Sequence, residues 1–263
     1  MRLRRKETKV KLKNHKAIAR MRESGRLVAE CFQLLEENIR PGVSLRELDQ
    51  ITEALIRERG AEPLYKGYRG SAKDHPPFPG VICASVNQEI CHGLPNDRFL
   101  KEGDIIAIDI GLKYKGYCGD ACYTFPVGNI SPRAQRLLEV TQECLRVGIE
   151  AAQPGGYLND IGRAINDYAD SQGVSVVVEW GGHGIGRALH ESPSVSHVRQ
   201  KGPGMKLRPG MVFTIEPMIN LGQPDWVLLK DGWTVVTTDG SLSAQYEHTL
   251  AITQQGPQIL TKL

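Results

Sequence analysis

Two segments of the chain align without a gap, and each ends on an acid. Leu100-Lys-Glu-Gly-Asp-Ile-Ile-Ala-Ile-Asp109 and Leu207-Arg-Pro-Gly-Met-Val-Phe-Thr-Ile-Glu216 match Leu with Leu, Gly with Gly and acid with acid at an offset of 107 residues. Each pattern predicts a turn that leads into a buried strand with the carboxylate at its end. An ionised carboxylate in such a place is costly unless a cation compensates it. Two acids in equivalent frames therefore predict one shared polar centre.

A second repeat extends the first. Pro41-Gly42-x-x-Leu45-x-x-Leu48 recurs as Pro154-Gly155-x-x-Leu158-x-x-Ile161, and each stretch reaches a glycine 19 residues after its proline. The period is close to half the chain, which indicates a duplicated domain with a pseudo-twofold axis and not a solenoid of short repeats. We therefore expect a single domain over residues 14–263, made of related halves at about 14–128 and 129–263.

Hydrophobic periodicity predicts an α+β fold, in which paired helices precede and cover antiparallel strands in each half. A capping box at Ser44 and Glu47 marks one helix start, and Ser131-Pro132 marks another. A Gly- and Pro-rich segment over 61–79 is predicted to be a functional loop. The expected helices are Ala17–Ile39, Ser44 to about Gly60, Ser131 to about Ala152 and Tyr157–Gln172. The expected strands are Val81–Val86, Asp104–Gly111, Tyr117–Val127, Val174–Trp180, Met211–Asn220, Trp226–Leu229, Thr234–Thr237 and Tyr246–Thr253.

Composition is that of an ordinary soluble protein, with 263 residues, 40% hydrophobic and 24% charged. The sequence has no apolar run long enough to span a membrane and no apolar leader segment, so we expect a cytoplasmic protein. All six cysteines lie within the first 144 residues, and none forms a C-x-x-C pair. This spacing argues against a zinc ribbon or a disulfide framework and predicts reduced, mostly buried thiols.

The N-terminus differs in charge from the rest of the chain. Residues 1–16 carry a net charge of +7, which leaves −4 for the remainder. We assign residues 1–13 to a basic N-terminal tail. Such a tail is either a solvated end or a contact for RNA phosphates, as on a ribosome.

Five acidic and imidazole side chains stand in apolar or glycine-rich settings. They are Asp109, Asp120, His183, Glu216 and Glu247. Taken singly, such an Asp is usually a cap or turn residue and such a His a loop residue. Taken together, four carboxylates and one imidazole suit two divalent cations such as Mn, Fe, Co or Zn. Neither acid-bearing strand contains a Lys or Arg that could neutralise its acid, which favours the metal interpretation.

Six motifs in this order resemble the signature set of the type I methionine aminopeptidases, over nearly all of residues 14–255. The motifs are Glu89-Ile-Cys-His-Gly-Leu-Pro95, Ile108-Asp-Ile-Gly111, Gly116-Tyr-Cys-Gly-Asp120, Gly182-His-Gly-Ile-Gly-Arg187 with His190-Glu-Ser-Pro193, Phe213-Thr-Ile-Glu-Pro-Met218, and Ser241-Leu-Ser-Ala-Gln-Tyr-Glu-His-Thr249. The resemblance implies the duplicated pita-bread fold. It also implies removal of the initiator methionine from nascent chains when the second residue is small.

The resemblance further implies two divalent metal ions per chain, drawn from Co, Mn, Fe, Zn and Ni. Asp109 would chelate one ion, Asp120 and Glu247 would bridge both, and His183 with Glu216 would complete the other. A metal-bound hydroxide would attack the first peptide bond, with Glu216 as the proton shuttle. His92 would contact the scissile amide nitrogen, and His190 would stabilise the oxyanion. The ligand set does not identify the physiological metal.

By the same resemblance, Phe78, Cys83 and Trp233 would wall an apolar slot for the methionine side chain, where contacts between sulfur and aromatic rings are favourable. Two departures from the family pattern bear on the shape of this slot. Asp74-His-Pro-Pro-Phe78 replaces a more usual Tyr-x-Gly-aromatic sequence, and Leu189 stands where Phe is common.

Three other interpretations compete with this one. Proline dipeptidases and aminopeptidases P share the fold and ligands but usually add an N-terminal domain, whereas only about 16 residues precede the first predicted helix. Type II methionine aminopeptidases carry a long insert, for which the intervals His183–Glu216 and Glu216–Glu247 leave no room. A metal-free RNA-binding scaffold would fit the basic tail but would gain nothing from four buried acids. A monomer is the default expectation.

Overall fold

A computed structural model of the chain describes residues 10–70 and 76–263. It contains four long helices: α1 (His15–Asn38), α2 (Leu45–Glu58), α3 (Pro132–Ala151) and α4 (Leu158–Gln172). Its strands are β1 (Glu62–Pro63), β2 (Cys83–Val86), β3 (Glu89–Cys91), β4 (Ile105–Tyr114), β5 (Tyr117–Pro126), β6 (Ser175–Val176), β7 (Gly182–Gly184), β8 (Glu191–Val195), β9 (Val212–Ile215), β10 (Met218–Asn220), β11 (Trp226–Leu228), β12 (Val235–Thr237), β13 (Ser243–Gln245), β14 (His248–Thr253) and β15 (Gly256–Ile259).

All strand pairs among the described residues are antiparallel. In the first half, β4 pairs with β5 along one edge and with β2 and β1 along the other. In the second half, five strands are ordered β15-β14-β9-β7-β8. Two three-stranded sheets complete the molecule, β13-β10-β6 and β11-β12-β3. The predicted helix pairs precede these strands, so the expected element order is confirmed.

The duplication is visible in the backbone. Gly42 and Gly155 have φ of 87° and 88°, and Gly103 and Gly210 have φ of 88° and 92°, all values that favour glycine over residues with a Cβ. The Gly42 N–H donates to the Leu100 carbonyl at 2.8 Å, and the Gly155 N–H donates to the Leu207 carbonyl at 2.9 Å. The two repeats therefore form the same turns and the same backbone hydrogen bond between them. The boundary at residues 128 and 129 stays a prediction.

Several predicted elements differ from the structure. Asp109 lies in the middle of β4 and not at a strand end, because β4 continues into a hairpin whose turn residues Lys115 and Gly116 both have positive φ. The strand expected over 211–220 is divided into β9 and β10 at Glu216-Pro217, since proline has no N–H to continue a ladder. The strand expected over 174–180 is only Ser175–Val176. Six strands were not predicted: β1, β3, β7, β8, β13 and β15, each of five residues or fewer and four of them containing Gly or Pro.

The hydrophobic core has two main parts, one under α1 and α2 and one under α3 and α4. Gly25 allows α1 to lie close to the C-terminal segment, since a Cβ there would be 2.2 Å from the Leu260 carbonyl oxygen. All six cysteines are buried and unbonded to one another, as predicted. No helix in the described ranges is long and apolar enough to cross a membrane. Most of the predicted basic tail, residues 1–9, lies outside the described residues.

Candidate metal centre

The β4–β5 hairpin places two acids on one face of its ladder. Asp120 on β5 is paired with Gly111 on β4, two residues after Asp109. Residues two apart on a strand point to the same side, as do directly paired residues. Asp109 and Asp120 are therefore diagonal neighbours on the same face, and Cys83, which is paired with Asp109 from β2, joins them.

Tyr65 links these two acids. Its hydroxyl lies 2.6 Å from Asp109 Oδ1 and 2.7 Å from Asp120 Oδ1, and the side chain is buried. Burial raises the pKa of Tyr65 well above its usual value, and the charges of Asp109 and Asp120 raise it further, so the hydroxyl keeps its proton. It is a hydrogen-bond donor to the pair.

The second half supplies His183 from β7 and Glu216 from the end of β9. The Thr214 hydroxyl donates to Glu216 Oε1 at 2.7 Å and accepts from the His183 backbone N–H at 2.9 Å. One side chain therefore helps to fix the positions of both residues. The Glu216 N–H donates to His197 Nε2 at 3.2 Å. Burial lowers the pKa of His197 to about 3, which keeps that ring neutral and able to accept.

Glu247 lies in a third segment, immediately before β14. Its N–H donates to the Cys122 carbonyl at 2.8 Å, which fixes the backbone against β5. Its side chain is buried, and Oε1 has no hydrogen-bond partner among the described residues. A buried carboxylate oxygen without a partner is costly unless a ligand satisfies it.

These five side chains meet in one cleft of about 880 Å³. Ligand atoms of Asp120, His183 and Glu247 lie within 4.8 Å of one another. His183 Nε2 is 3.5 Å from Asp120 Oδ2 and 3.7 Å from Glu216 Oε1. Asp109 lies outside that tight group and is joined to it through Tyr65.

The electrostatics of the cleft favour a cation. Burial, followed by the charges of neighbouring acids, raises the pKa of both Asp109 and Glu247 well above the usual range. No Lys or Arg is among the described residues that line the cleft. The partnerless Glu247 oxygen and this excess of acids therefore fit a divalent metal centre with oxygen and nitrogen ligands.

Two further histidines flank the acids. The His92 ring lies 5.1 Å from the Trp180 ring, and its residue has φ of 57°, an uncommon backbone conformation for a side chain of this size. The His190 ring lies 4.4 Å from the His183 ring and 5.9 Å from the Tyr68 ring. Burial lowers the pKa of His190, and the nearby His183 lowers it further, so a neutral imidazole is favoured.

An apolar recess adjoins the acids. The Phe78 and Trp233 rings meet edge to face at 5.2 Å, and Tyr65 lies 6.3 Å from Phe78. The Trp233 indole N–H donates to the Pro76 carbonyl at 3.0 Å, which fixes the ring. Cys83 borders the same cleft.

The structure thus brings every predicted site residue to one cleft. These are Phe78, Cys83, His92, Asp109, Asp120, His183, His190, Glu216, Trp233 and Glu247. Leu189, one of the two departures from the family pattern, also lines it. The other departure begins at Asp74 and His75, which lie outside the described residues.

Sequence reasoning missed three supporting residues: Tyr65, Thr214 and His197. Thr214 could have been found, because it lies two residues before Glu216 on the same strand face. Tyr65 and His197 lie in irregular segments whose positions no periodicity indicates. His248 follows Glu247 but does not line the cleft, and its ring contacts Thr261 and Tyr123.

Comparisons with known proteins agree with this geometry. The sequence pattern of metallopeptidase family M24 matches residues 19–254. Methionine aminopeptidase 1 of Bacillus subtilis (strain 168) is 50% identical over 243 residues, which cover 92% of this chain and 95% of that protein.

Solved structures give the same result. A methionine aminopeptidase of Rickettsia prowazekii is similar with a TM-score of 0.92 at 41% identity, covering 96% of this chain and 100% of that one. A prolidase of Pyrococcus horikoshii OT3 has a TM-score of 0.75 at 25% identity, covering 95% of this chain but 63% of its own. The expected pita-bread architecture is therefore confirmed.

The buried acids predict how stability depends on pH without metal. Burial raises the pKa of Glu216 to about 7. Burial lowers the pKa of His183, but Asp120 and Glu216 outweigh it and raise the value to about 9. The folded protein then holds protons that the unfolded chain has released, so its free energy of unfolding falls as pH rises from about 4.5 to 9.

The free energy of unfolding of Glu216→Gln is compared with that of the wild type, both treated with chelator. We expect this difference to rise in favour of the variant by ~1–3 kcal/mol as the pH is raised from 5 to 7.5. Urea denaturation in EDTA measures this difference. Asp97→Asn is the control: Asp97 is exposed and its partner Arg46 lowers its pKa, so its effect should be constant over that pH range. A pH-independent difference for Glu216→Gln would show that Glu216 does not titrate there.

Proposed function

Because the chain belongs to metallopeptidase family M24, and is a metal-dependent hydrolase by that membership, we propose that it removes the N-terminal methionine from nascent proteins. The observation that carries the proposal is one cleft lined by Asp109, Asp120, His183, Glu216 and Glu247, in which Glu247 Oε1 is buried without a hydrogen-bond partner among the described residues. Relatives named methionine aminopeptidase, similar over more than nine-tenths of both chains, support the choice of methionine.

Two divalent cations are proposed to bind in this cleft. Asp109 would hold one, His183 and Glu216 the other, and Asp120 and Glu247 both. The short distances from His183 Nε2 to Asp120 and Glu216 support a shared centre. The cations, when bound, would supply a water nucleophile that is acidic enough to be deprotonated near neutral pH.

Proton transfer and contacts with the substrate would be made by the chain's own side chains. Glu216, whose Oε1 lies 3.7 Å from His183 Nε2, would take a proton from the attacking water and deliver it to the leaving amine. His92 would contact the scissile amide nitrogen. His190 would donate a hydrogen bond to the carbonyl oxygen as negative charge develops there.

Substrate choice follows from the two sides of the cleft. The methionine side chain would enter the recess of Phe78, Cys83 and Trp233, whose aromatic rings suit a thioether. The second residue would lie between the two histidines, where the Trp180 ring is 5.1 Å from His92 and the Tyr68 ring is 5.9 Å from His190. Bulky rings on both sides favour a small second residue.

Nascent chains are synthesised on ribosomes, which accords with the proposed cytoplasmic location and with a role for the basic tail. We propose that residues 1–13, with their excess of Lys and Arg, contact ribosomal RNA, and that the catalytic unit is a monomer. None of the residues proposed for the metal centre or the methionine recess lies in that tail.

The proposal is tested first by substrate choice. The Mn²⁺-loaded protein should release methionine from Met-Ala-Ser, act at least ~100-fold more slowly on Met-Leu-Ser, and leave an Xaa-Pro dipeptide intact. Dialysis against chelator should abolish the activity, and Mn²⁺ should restore it. Preferential cleavage of the Xaa-Pro dipeptide would instead identify a prolidase.

Removing charge from the centre tests the ligand set. Asp109→Asn and Glu247→Gln should each lose nearly all tripeptide cleavage while the protein stays folded, because a neutral amide cannot replace a carboxylate on the cation. Activity is measured in excess metal and folding by circular dichroism. Asp97→Asn should keep full activity, and near-normal turnover in either centre variant would remove that residue from the set.

The histidines should behave differently. His92→Ala and His190→Ala are expected to keep bound metal and lose kcat by roughly ten- to a thousand-fold each, as for loss of one transition-state hydrogen bond. Metal content by atomic emission and steady-state kinetics distinguish the two classes. If metal is lost from these variants, they belong among the ligands.

A further inference from the structure

Tyr65 occupies a fixed position beside the first-half acids. Tyr65 lies two residues after the end of β1, which pairs with the distal part of β4. Leu64, between β1 and Tyr65, donates its backbone N–H to the Gly111 carbonyl at 3.0 Å. The Tyr68 N–H closes a turn on the Tyr65 carbonyl at 2.8 Å. Backbone bonds on both sides therefore set where the Tyr65 ring lies.

The ring depends on a glycine beneath it. A Cβ on Gly111 would lie 2.8 Å from Tyr65 Cε1 and 3.2 Å from the hydroxyl oxygen, too close for a real contact. Gly111 stands between Asp109 on its own strand and Asp120 across the ladder. Its missing side chain thus creates the space through which the tyrosine hydroxyl reaches both acids.

The hydroxyl engages the same oxygen of each aspartate. Oδ1 of Asp109 and Oδ1 of Asp120 both face Tyr65, whereas Asp120 Oδ2 faces His183 Nε2 at 3.5 Å. One oxygen of each carboxylate is therefore tied down, and the other is left for a ligand. Thr214 does the equivalent for Glu216 in the second half, by donating to its Oε1.

We propose that Tyr65 is a positioning residue of the metal centre, whose hydroxyl holds Asp109 and Asp120 in the orientation that binds a divalent cation and which needs Gly111 to reach them. This inference rests on the proposed function only in taking these acids as ligands. Partners that orient ligating carboxylates typically contribute 10- to 100-fold to metal affinity. If Tyr65 only lined the methionine recess, loss of its hydroxyl would change substrate binding and not metal affinity.

The test is Tyr65→Phe, which keeps the ring that packs near Phe78 and removes only the hydroxyl. Titration calorimetry of the metal-free protein with Mn²⁺ should show affinity weakened by about 10- to 100-fold. With Mn²⁺ at saturation, KM for Met-Ala-Ser should stay within about twofold of the wild type. Tyr168→Phe, which removes a hydroxyl from α4 away from the cleft lining, is the matched control and should bind Mn²⁺ as the wild type does.

Gly111→Ala provides a second, independent change. It should also weaken Mn²⁺ binding, but its effect should shrink in the Tyr65→Phe background, since the hydroxyl it displaces is already absent. Unchanged Mn²⁺ affinity in Tyr65→Phe overturns the inference, and a raised KM with unchanged affinity assigns Tyr65 to the recess wall. Failure of the wild type to cleave Met-Ala-Ser would count against the proposed function alone, because Mn²⁺ binding is measured separately.

Discussion

Four carboxylates in one cleft, three of them buried and Asp109 half-buried, without a lysine or arginine along its described lining, are the constraint around which this structure is organised. Each charge would be expensive alone, and their mutual repulsion adds to the cost. The raised pKa values of Asp109, Glu216 and Glu247 express that cost directly. A divalent cation bound in this cleft would offset that cost.

The duplicated architecture explains how acids from distant segments meet. Matching glycine turns, such as Gly103 and Gly210 with φ of 88° and 92°, start β4 and β9 in the same way in each half. The halves then diverge at the acids themselves. Asp109 lies within a long paired strand, whereas Glu216 ends its strand because Pro217 interrupts the ladder. A symmetric framework therefore carries an asymmetric set of candidate ligands.

Hydrogen bonds from neighbouring side chains orient the acids. Thr214 holds one oxygen of Glu216, Tyr65 contacts one oxygen each of Asp109 and Asp120, and the neutral His197 accepts the Glu216 N–H. Buried polar groups of this kind confine the rotamers of the residues they contact, so the cleft is shaped before any ligand enters. Glu247 Oε1 has no hydrogen-bond partner among the residues that the structure describes.

The sequence by itself determined the duplication, the order of helices and longer strands, and the ten candidate site residues, because apolar periodicity, turn glycines and motif order are local properties of the chain. Only the tertiary structure decided that Asp109 lies mid-strand and that Tyr65 joins it to Asp120, since Tyr65 and Asp109 are 44 positions apart and no sequence pattern predicts their contact. It also decided the short strands such as β7 and β8, which form because neighbouring strands offer hydrogen bonds and not because of their own propensity. Contacts made across irregular segments depend on the packing of the whole molecule, which is why the residues that hold the acids were found only in three dimensions.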